Sequence, residues 1–252
     1  MRKLMKSIAD PLLKTAGVSG GIDGIVRRER YEACVRELFG CLSATLFPDL
    51  PGNAERERLV CRLLGTTTSE AMYILNHLHL GLSAEGDICE FGVAQGATSA
   101  LIANEIKATD KRFWLFDSFA GLPKPTEEDV LIDDIIKLGS MDAYEGLMSH
   151  PVEEVRARLA DVGFDWDRVR VVPGMIEETV AFDNLPEKVC FAYVDFDFYS
   201  GIKVTLEFLE HRLTPGGQIV VDDYGFFSAG AQQAVDEFIA SREGRFEIIK
   251  PH

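Results

Sequence analysis

The feature that most constrains the fold is an apolar segment that runs directly into a glycine-bearing turn, between Asp87 and Ser99. Its pattern is Glu-x-Gly-x-x-x-Gly, with Glu90, Gly92 and Gly96 at the fixed positions. Glycine permits backbone angles that a side chain forbids, so the chain can turn tightly here and approach a ligand closely. A helix that starts after the turn would point its free N–H groups at that ligand. The segment therefore predicts a strand, a ligand-facing turn and a helix start.

A second acidic strand end narrows the identity of that ligand. The segment Phe113–Asp117 is apolar until its last residue. A carboxylate placed one strand-helix unit after a glycine turn is positioned to accept the hydroxyls of a ribose. Ala94 replaces the middle glycine of the dinucleotide fingerprint, which makes a pyrophosphate ligand less suitable. An ordinary strand-to-helix turn would also fit the glycines alone, but Asp117 at this spacing favours a nucleoside.

The chain from residue 85 onward alternates strands and helices, which predicts an α/β fold with a Rossmann-like, doubly wound, mostly parallel sheet. Residues 1–84 are predicted to form an N-terminal helical extension or cap, and residues 85–252 the Rossmann-like ligand-binding domain. In the extension, Thr67 and Glu70 have the spacing of a capping box. The predicted strands are Asp87–Phe91, Arg112–Asp117, Val169–Val172, Val189–Asp195, Gln218–Asp222 and Phe246–Lys250.

A long insert, residues 118–150, separates the second and third predicted strands. It contains Pro123, Pro125 and the acidic run from Glu127 to Asp129. An insert of this length at a ligand-facing edge is typical of a functional lid. A solvated acidic face is the alternative that the composition leaves open.

Two further apolar strands end in carboxylates, at Asp195 and at the pair Asp222 and Asp223. Ligands of open α/β sheets bind beyond the carboxyl ends of the strands, so these side chains should converge near the glycine turn. Crowded carboxylates repel one another unless protons or a cation neutralise them. Oxygen ligands favour Mg²⁺ before Ca²⁺ or Mn²⁺. A helix-capping role is the alternative for a single aspartate, and the role of Asp197 stays open.

The charge and cysteine content exclude several partner classes. A net charge of −15 offers no basic field for nucleic acid or for an anionic membrane surface. The apolar runs near the N-terminus are too short for a signal peptide or a membrane span. The five cysteines form no Cys-x-x-Cys pair and are odd in number, which favours a reducing, cytoplasmic compartment.

Five motifs occur in order over roughly residues 66–240. They are Glu90-Phe91-Gly92-Val93-x-x-Gly96, Asp117-Ser118-Phe119-Ala120-Gly121-Leu122-Pro123, Val172-Pro173-Gly174-x-x-x-Glu178-Thr179, Asp195-Phe196-Asp197-Phe198-Tyr199 and Asp222-Asp223-Tyr224. Taken together, these motifs resemble the macrocin-type O-methyltransferase family (TylF/MycF type), for which the Asp-Ser-Phe-x-Gly-Leu-Pro segment is especially characteristic.

The resemblance implies a class I S-adenosylmethionine-dependent methyltransferase that needs Mg²⁺ and methylates a hydroxyl of a small molecule, often on a sugar of a natural product. It also suggests a homo-oligomer. The alternatives are a metal-dependent phenol or catechol O-methyltransferase and a non-catalytic nucleotide-binding scaffold. The expected cation ligands are Asp195, Asp222 and Asp223, and the expected proton acceptor is Asp195 or His150. The expected cofactor-binding residues are Glu90, Gly92, Gly96, Asp117, Ser118, Gly174, Met175 and Thr67.

Overall fold

The computed structural model describes residues 21–242 and 244–249, with side chains from residue 27 onward. Eight α-helices and five β-strands lie in the described part of the chain. The helices are α1 (Gly21–Thr45), α2 (Arg56–Val60), α3 (Thr68–Gly81), α4 (Ala97–Ile106), α5 (Val152–Asp161), α6 (Ile176–Thr179), α7 (Tyr199–Glu210) and α8 (Ala229–Ala240). The strands are β1 (Asp87–Phe91), β2 (Phe113–Asp117), β3 (Val169–Pro173), β4 (Val189–Val194) and β5 (Leu213–Val221).

The five strands form one sheet in the order β3-β2-β1-β4-β5, and every neighbouring pair is parallel. The strand order reverses between β1 and β4, because the chain moves outward from β1 to β3 and then returns to the other side of β1. The doubly wound fold predicted from the sequence is confirmed. A crevice for a ligand is expected where the order reverses, beyond the carboxyl ends of β1 and β4.

Two hydrophobic cores cover the two faces of the sheet. Alternate residues of each strand point to opposite faces, so that Ile88 joins one core and Cys89 the other. Helices α3, α4 and α5 pack on the first face. Helices α6, α7 and α8 pack on the second. A parallel sheet buried on both faces explains why the strand sequences are almost continuously apolar.

The N-terminal helices share the first core with the sheet. The capping box at the start of α3 is confirmed: Thr67 Oγ1 accepts from the Glu70 N–H, and Glu70 Oε2 accepts from the Thr67 N–H. Behind α3, the buried Arg56 of α2 forms a bidentate ion pair with Glu105 of α4, and His79 Nε2 lies 2.9 Å from the same carboxylate. This network joins α2, α3 and α4. The division of the chain at residue 84 stays a prediction.

The predicted sixth strand is wrong for residues 246–249, which are irregular in the structure, and Lys250 lies outside the described residues. Alternating apolar residues alone do not form a strand without a neighbouring strand to pair with. No helix within the described ranges is both long and apolar enough to cross a bilayer.

Candidate active site

Beyond the carboxyl ends of β1 and β4, the glycine turn lies against the loop that joins β4 to α7 and carries Asp195 and Asp197. We call this region, where the strand order reverses, the crevice. The N–H of Asp195 donates to the Phe91 carbonyl over 2.7 Å, directly beyond the last paired residues of the two strands. Gly92 has a φ of +86°, and a Cβ at this position would overlap the carbonyl oxygen of Asp195. Gly92 therefore lets the turn pack closely against the loop after β4, and its approach to a ligand stays a prediction.

The carboxylate of Asp117, at the end of β2, holds the glycine turn in place. Its Oδ2 accepts from the N–H groups of Val93 at 2.7 Å and Ala94 at 2.9 Å. Its Oδ1 accepts from the Phe119 N–H at 2.6 Å. An ionised carboxylate has about four acceptor positions, so one remains for a ligand hydroxyl. Ala94 is held at a φ of +45°, an unfavourable angle of the kind found at ligand-binding turns.

Glu90 lies beneath the turn, with 1% of its surface exposed. Neither of its carboxylate oxygens has a hydrogen-bond partner among the described residues, and the same holds for the buried hydroxyl of Ser99. Burial raises the pKa of Glu90 to about 8; the nearby Ser99 hydroxyl opposes that shift, and the charge of Asp117 adds to it. A buried polar group without a partner is costly, so the site fits a ligand that supplies one.

The remaining predicted cofactor residues lie around the same turn. Gly96 is the N-cap of α4 and approaches Val155 of α5. Gly174 follows β3 and donates its N–H to the carbonyl of Asp117 over 3.0 Å, and Met175 is the N-cap of α6. The Ser118 hydroxyl bonds within its own loop, to the carbonyl of Gly121.

The start of α3 reaches the glycine turn through residues that neighbour Thr67. The hydroxyls of Thr66 and Thr98 lie 3.0 Å apart, which joins the approach to α3 to the first turn of α4. The Gln95 side chain donates to the Leu64 carbonyl over 3.2 Å. Thr67 itself is occupied by helix capping. Its predicted contact with the cofactor stays a prediction.

Carboxylates converge on the other side of the crevice, as the strand ends predict. One carboxylate oxygen from each of Asp195, Asp197 and Asp223 lies within 4.8 Å of the other two. Asp197 and Asp223 have φ angles of +60° and +58°, which turn their side chains toward Asp195 after the strands have ended. We call Asp195, Asp197 and Asp223 the carboxylate cluster.

Asp222 lies beside the cluster and is bonded to the protein. Its Oδ2 accepts from the Tyr193 hydroxyl at 2.5 Å, and its Oδ1 from the Asp223 N–H at 3.0 Å. The Tyr193 oxygen also lies 3.1 Å from Asp195 Oδ2. A single hydroxyl hydrogen serves one carboxylate at a time. A proton or a cation at this position therefore removes an unfavourable contact between oxygens.

Burial and the crowding of carboxylates raise the pKa of all three residues of the cluster. Loss of hydration, followed by the charges of Asp222 and the other cluster members, raises the pKa of Asp195 well above its usual range. Loss of hydration and the charge of Asp223 raise the pKa of Asp197 likewise. Desolvation and the charge of Asp222 raise the pKa of Asp223 to about 7. The set of donors is entirely oxygen, which suits a hard divalent cation.

His150 lies just before α5, where its Nδ1 is 3.2 Å from Glu154 Oε2. This contact faces the surface of α5, and no described bond joins His150 to the cluster. The role of His150 as a proton acceptor stays a prediction.

The insert packs against the second acidic loop, which joins β5 to α8 and carries Asp222 and Asp223. Tyr144 is fully buried, and its ring contacts Phe227 with centroids 4.8 Å apart. Leu131 forms an isolated antiparallel bridge with Ser228. Residues 127–129 do not form a uniformly solvated acidic face, because Asp129 is buried. The alternative of a lid is not decided by this packing.

Asp197 and Tyr193 are the site residues that sequence reasoning left without a role. Asp197 required knowledge of the loop conformation, since β4 ends at Val194 and strand alternation no longer applies. The signal for Tyr193 was available, because residues two apart in a strand share a face and Tyr193 precedes Asp195 by two.

A family model described as macrocin O-methyltransferase (TylF) matches residues 80–250, which is more than half of the chain. The chain belongs to the macrocin O-methyltransferase family. The match includes the glycine turn and all three loops that carry the acidic residues.

Two relatives of this chain are named as O-methyltransferases of natural products. One, from Streptomyces olivaceus, is an 8-demethyl-8-(2,3-dimethoxy-α-L-rhamnosyl)-tetracenomycin-C 4′-O-methyltransferase, 31% identical over 66% of this chain and 61% of its own length. Another, the mycinamicin III 3″-O-methyltransferase of Micromonospora griseorubida, is 30% identical over 61% of this chain and 60% of its own length. The matched region thus spans about three fifths of each relative.

Among solved structures, the O-methyltransferase NovP has the same fold. It superimposes with a TM-score of 0.63 over 87% of this chain and 95% of its own, at 22% identity. The calicheamicin methyltransferase CalS11 gives a TM-score of 0.54 over 83% of each chain, at 21% identity. These similarities establish the architecture of the molecule.

Proposed function

We propose that this protein is an O-methyltransferase that transfers the methyl group of S-adenosylmethionine to a hydroxyl of a small molecule, on a sugar of a natural product, with Mg²⁺ at the carboxylate cluster. The observation that carries the proposal is the convergence of the glycine turn and the carboxylate cluster at the point where the strand order reverses. The crevice combines a nucleoside-type turn with an oxygen-rich acidic site, and the two meet at the contact between Gly92 and Asp195. The relative from Streptomyces olivaceus is named for a rhamnosyl-bearing tetracenomycin, which supports a sugar-containing acceptor.

The glycine turn fits the cofactor. Glu90 has two buried oxygens without partners among the described residues, which a ligand with hydrogen-bond donors would satisfy. Asp117 retains an acceptor position for a ribose hydroxyl while it fixes the turn. We assign Glu90, Gly92 and Gly96 to the methionine and ribose side and Gly174 with Met175 to the adenine side.

The carboxylate cluster fits the cation. The sequence predicts Asp195, Asp222 and Asp223 as ligands, and the observed cluster shares Asp195 and Asp223 with that set. The third ligand is Asp222, as the motif predicts, or Asp197, whose oxygen lies nearer in the present conformation. Asp222 would have to give up part of its bonding to Tyr193 to serve as a ligand.

The chemistry requires alignment of the acceptor hydroxyl and removal of its proton. When bound, the cofactor supplies an electrophilic methyl group and the cation acts as a Lewis acid that lowers the pKa of the hydroxyl. Asp117 and Glu90 would orient one reactant from the β1 side of the crevice. We assign the proton to Asp195, the cluster residue whose backbone contacts the glycine turn, with His150 as the alternative acceptor.

The first test is calorimetric titration of S-adenosylmethionine and S-adenosylhomocysteine into the purified protein. Micromolar binding supports the proposal, and a folded sample that binds neither contradicts it. The acceptor class is then tested by transfer of labelled methyl to a panel of glycosides and catechols, with and without EDTA. Methylation of catechols alone would replace the sugar assignment with the phenol or catechol alternative.

We also propose a cytoplasmic homo-oligomer. All five cysteines lie in the described residues and are free thiols, which suits a reducing compartment. Sedimentation of the purified chain measures its oligomeric state directly, and a monomer at micromolar concentration would contradict this part of the proposal.

A further inference from the structure

Asp129 is a buried carboxylate of the insert that the proposed chemistry does not use. Only 5% of its surface is exposed. Its Oδ2 accepts from the N–H and the hydroxyl of Thr126, at 2.8 and 2.9 Å. Its Oδ1 accepts from the Tyr199 N–H at 2.8 Å and from the Ser228 hydroxyl at 2.9 Å. The two oxygens of Asp129 thus accept four hydrogen bonds from three different segments of the chain.

The two partners of Oδ1 belong to the two loops that carry the carboxylate cluster. Tyr199 is the first residue of α7 and follows Asp197 by two positions. Ser228 is the N-cap of α8 and follows Asp223 by five positions, and its hydroxyl accepts from the Gly230 N–H. One oxygen of the insert therefore bonds to both loops at once. The distance between these two loops affects how close the carboxylates of Asp195 and Asp197 lie to that of Asp223.

The surroundings of Asp129 leave little freedom for another arrangement. Phe198 and Phe227 immediately precede Tyr199 and Ser228, the two partners of Asp129 Oδ1. Their rings stack with centroids 6.0 Å apart. The backbone of the insert pairs with the second loop, since the Ile132 N–H donates to the Phe227 carbonyl and the Ala229 N–H to the Val130 carbonyl, each at 2.9 Å. A Cβ on Gly230 would overlap Asp129 Oδ1, so the helix start is shaped to admit this carboxylate.

We propose that Asp129 is a positioning residue that couples the docking of the insert to cation binding by Asp195, Asp197 and Asp223. This inference depends on the cation site of the proposed function. Because coupling between two equilibria is reciprocal, a bound cation also holds the insert more firmly in place. Partners that orient metal ligands from outside typically change metal affinity by about 10- to 100-fold when they are removed.

Asp134 provides a matched control within the same insert. Like that of Asp129, its carboxylate accepts several hydrogen bonds. The three donors are the Leu138 and Gly139 N–H groups and the Tyr144 hydroxyl. All of these partners lie inside the insert, and none belongs to the loops of the cluster. The substitution Asp134→Asn therefore perturbs the insert without removing its bonds to α7 and α8.

The experiment combines Mn²⁺ titration, followed by electron paramagnetic resonance, with hydrogen exchange in the presence and absence of Mg²⁺. In the unmodified protein, Mg²⁺ slows exchange in residues 126–132. Asp129→Asn weakens Mn²⁺ binding by about tenfold and removes that protection. Asp134→Asn accelerates exchange in residues 134–139 and changes Mn²⁺ affinity by less than about twofold.

Equal weakening by both variants would overturn the inference, because it would show a general effect of loosening the insert. Unchanged Mn²⁺ affinity in Asp129→Asn would overturn it as well. If that variant does not fold, Ser228→Ala removes one of the four bonds and is expected to weaken Mn²⁺ binding by a smaller factor, roughly threefold.

The failure of the inference is distinguishable from failure of the proposed function by titration of S-adenosylmethionine into the same samples. Cofactor binding without Mn²⁺ binding in the unmodified protein would remove the cation site and this coupling, while it leaves the cofactor assignment in place.

Discussion

The two sides of the crevice treat buried negative charge differently. On the β1 side, Asp117 is satisfied by three backbone N–H groups, and Glu90 is a single carboxylate that burial keeps protonated near neutral pH. On the β4 and β5 side, three carboxylates face one another at distances below 4.8 Å. On the first side, backbone N–H groups hold Asp117 and a proton neutralises Glu90, whereas the second side needs a proton or a cation shared among three carboxylates. Cofactor binding and cation binding should therefore respond separately to most substitutions.

Gly92→Ala is expected to break this separation and to have the largest effect. A Cβ would displace the Asp195 carbonyl and also oppose the φ of +86°, so both sides of the crevice must shift. We expect a loss of roughly 3 kcal/mol or more in the free energy of unfolding, together with loss of both cofactor and Mn²⁺ binding. Chemical denaturation and calorimetry measure these quantities.

Gly139→Ala is the matched control, because Gly139 has a similar φ of +84° but open space where a Cβ would lie. Its expected cost is only the backbone strain, about 1 to 2 kcal/mol. Similar costs for the two substitutions would show that the overlap with Asp195 is unimportant.

Glu90→Gln sharpens the comparison through pH. The folded-state pKa of Glu90, about 8, exceeds the ordinary value of 4.5, so the native state binds the extra proton and its stability falls as pH rises between these values. The glutamine variant lacks this loss. Its stability relative to the unmodified protein should increase by about 4 kcal/mol between pH 5 and pH 9, measured by denaturation without ligands.

Glu105 is the contrasting buried carboxylate, because its hydrogen bonds with His79 and Arg56 outweigh its burial and lower its pKa. Its contribution to stability is present above the unfolded pKa and is lost as pH falls through the folded pKa. Glu105→Gln should therefore alter the pH dependence of stability only in the acidic range.

For Glu90, the contradicting outcome is a pair of parallel stability–pH profiles for Glu90→Gln and the unmodified protein. That result would rule out a protonated Glu90.

The substitutions Asp197→Asn and Asp222→Asn, compared side by side, have the smallest expected difference and identify the third cation ligand. Because Asp222 is already bonded by Tyr193 and the Asp223 N–H, we expect Asp197→Asn to weaken Mn²⁺ binding roughly tenfold more. Cofactor affinity should be unchanged in both variants. The opposite order of Mn²⁺ affinities would restore the set predicted from the motif.

The sequence predicted the features that depend on local pattern. The positions of Asp117 and Asp195 followed from apolar runs that stop at a carboxylate, and the position of Glu90 followed from the motif of the glycine turn. The capping box of α3 followed from the spacing of two residues. These features require no information about distant parts of the chain.

The features that the sequence did not predict depend on contacts between distant segments. Asp197 joins the cluster because its backbone adopts a left-handed angle that strand alternation cannot anticipate. Asp129 lies in a run of three acidic residues, and its burial and its bonds to Tyr199 and Ser228 distinguish it from Glu127 and Glu128. The predicted strand beginning at Phe246 had a suitable pattern but no partner strand.

The attachment of the insert at a few points also has a consequence for how such a scaffold can change its specificity. Asp129, the bridge at Leu131 and the ring of Tyr144 anchor the insert, and the stretch from 132 to 140 between them is largely exposed. Exchange of residues 135–140, all of them exposed, would leave the bridge at Leu131 and the bonds of Asp129 in place. We expect an insert transplanted between scaffolds to dock only when its anchoring residues and the residues that they contact are moved together.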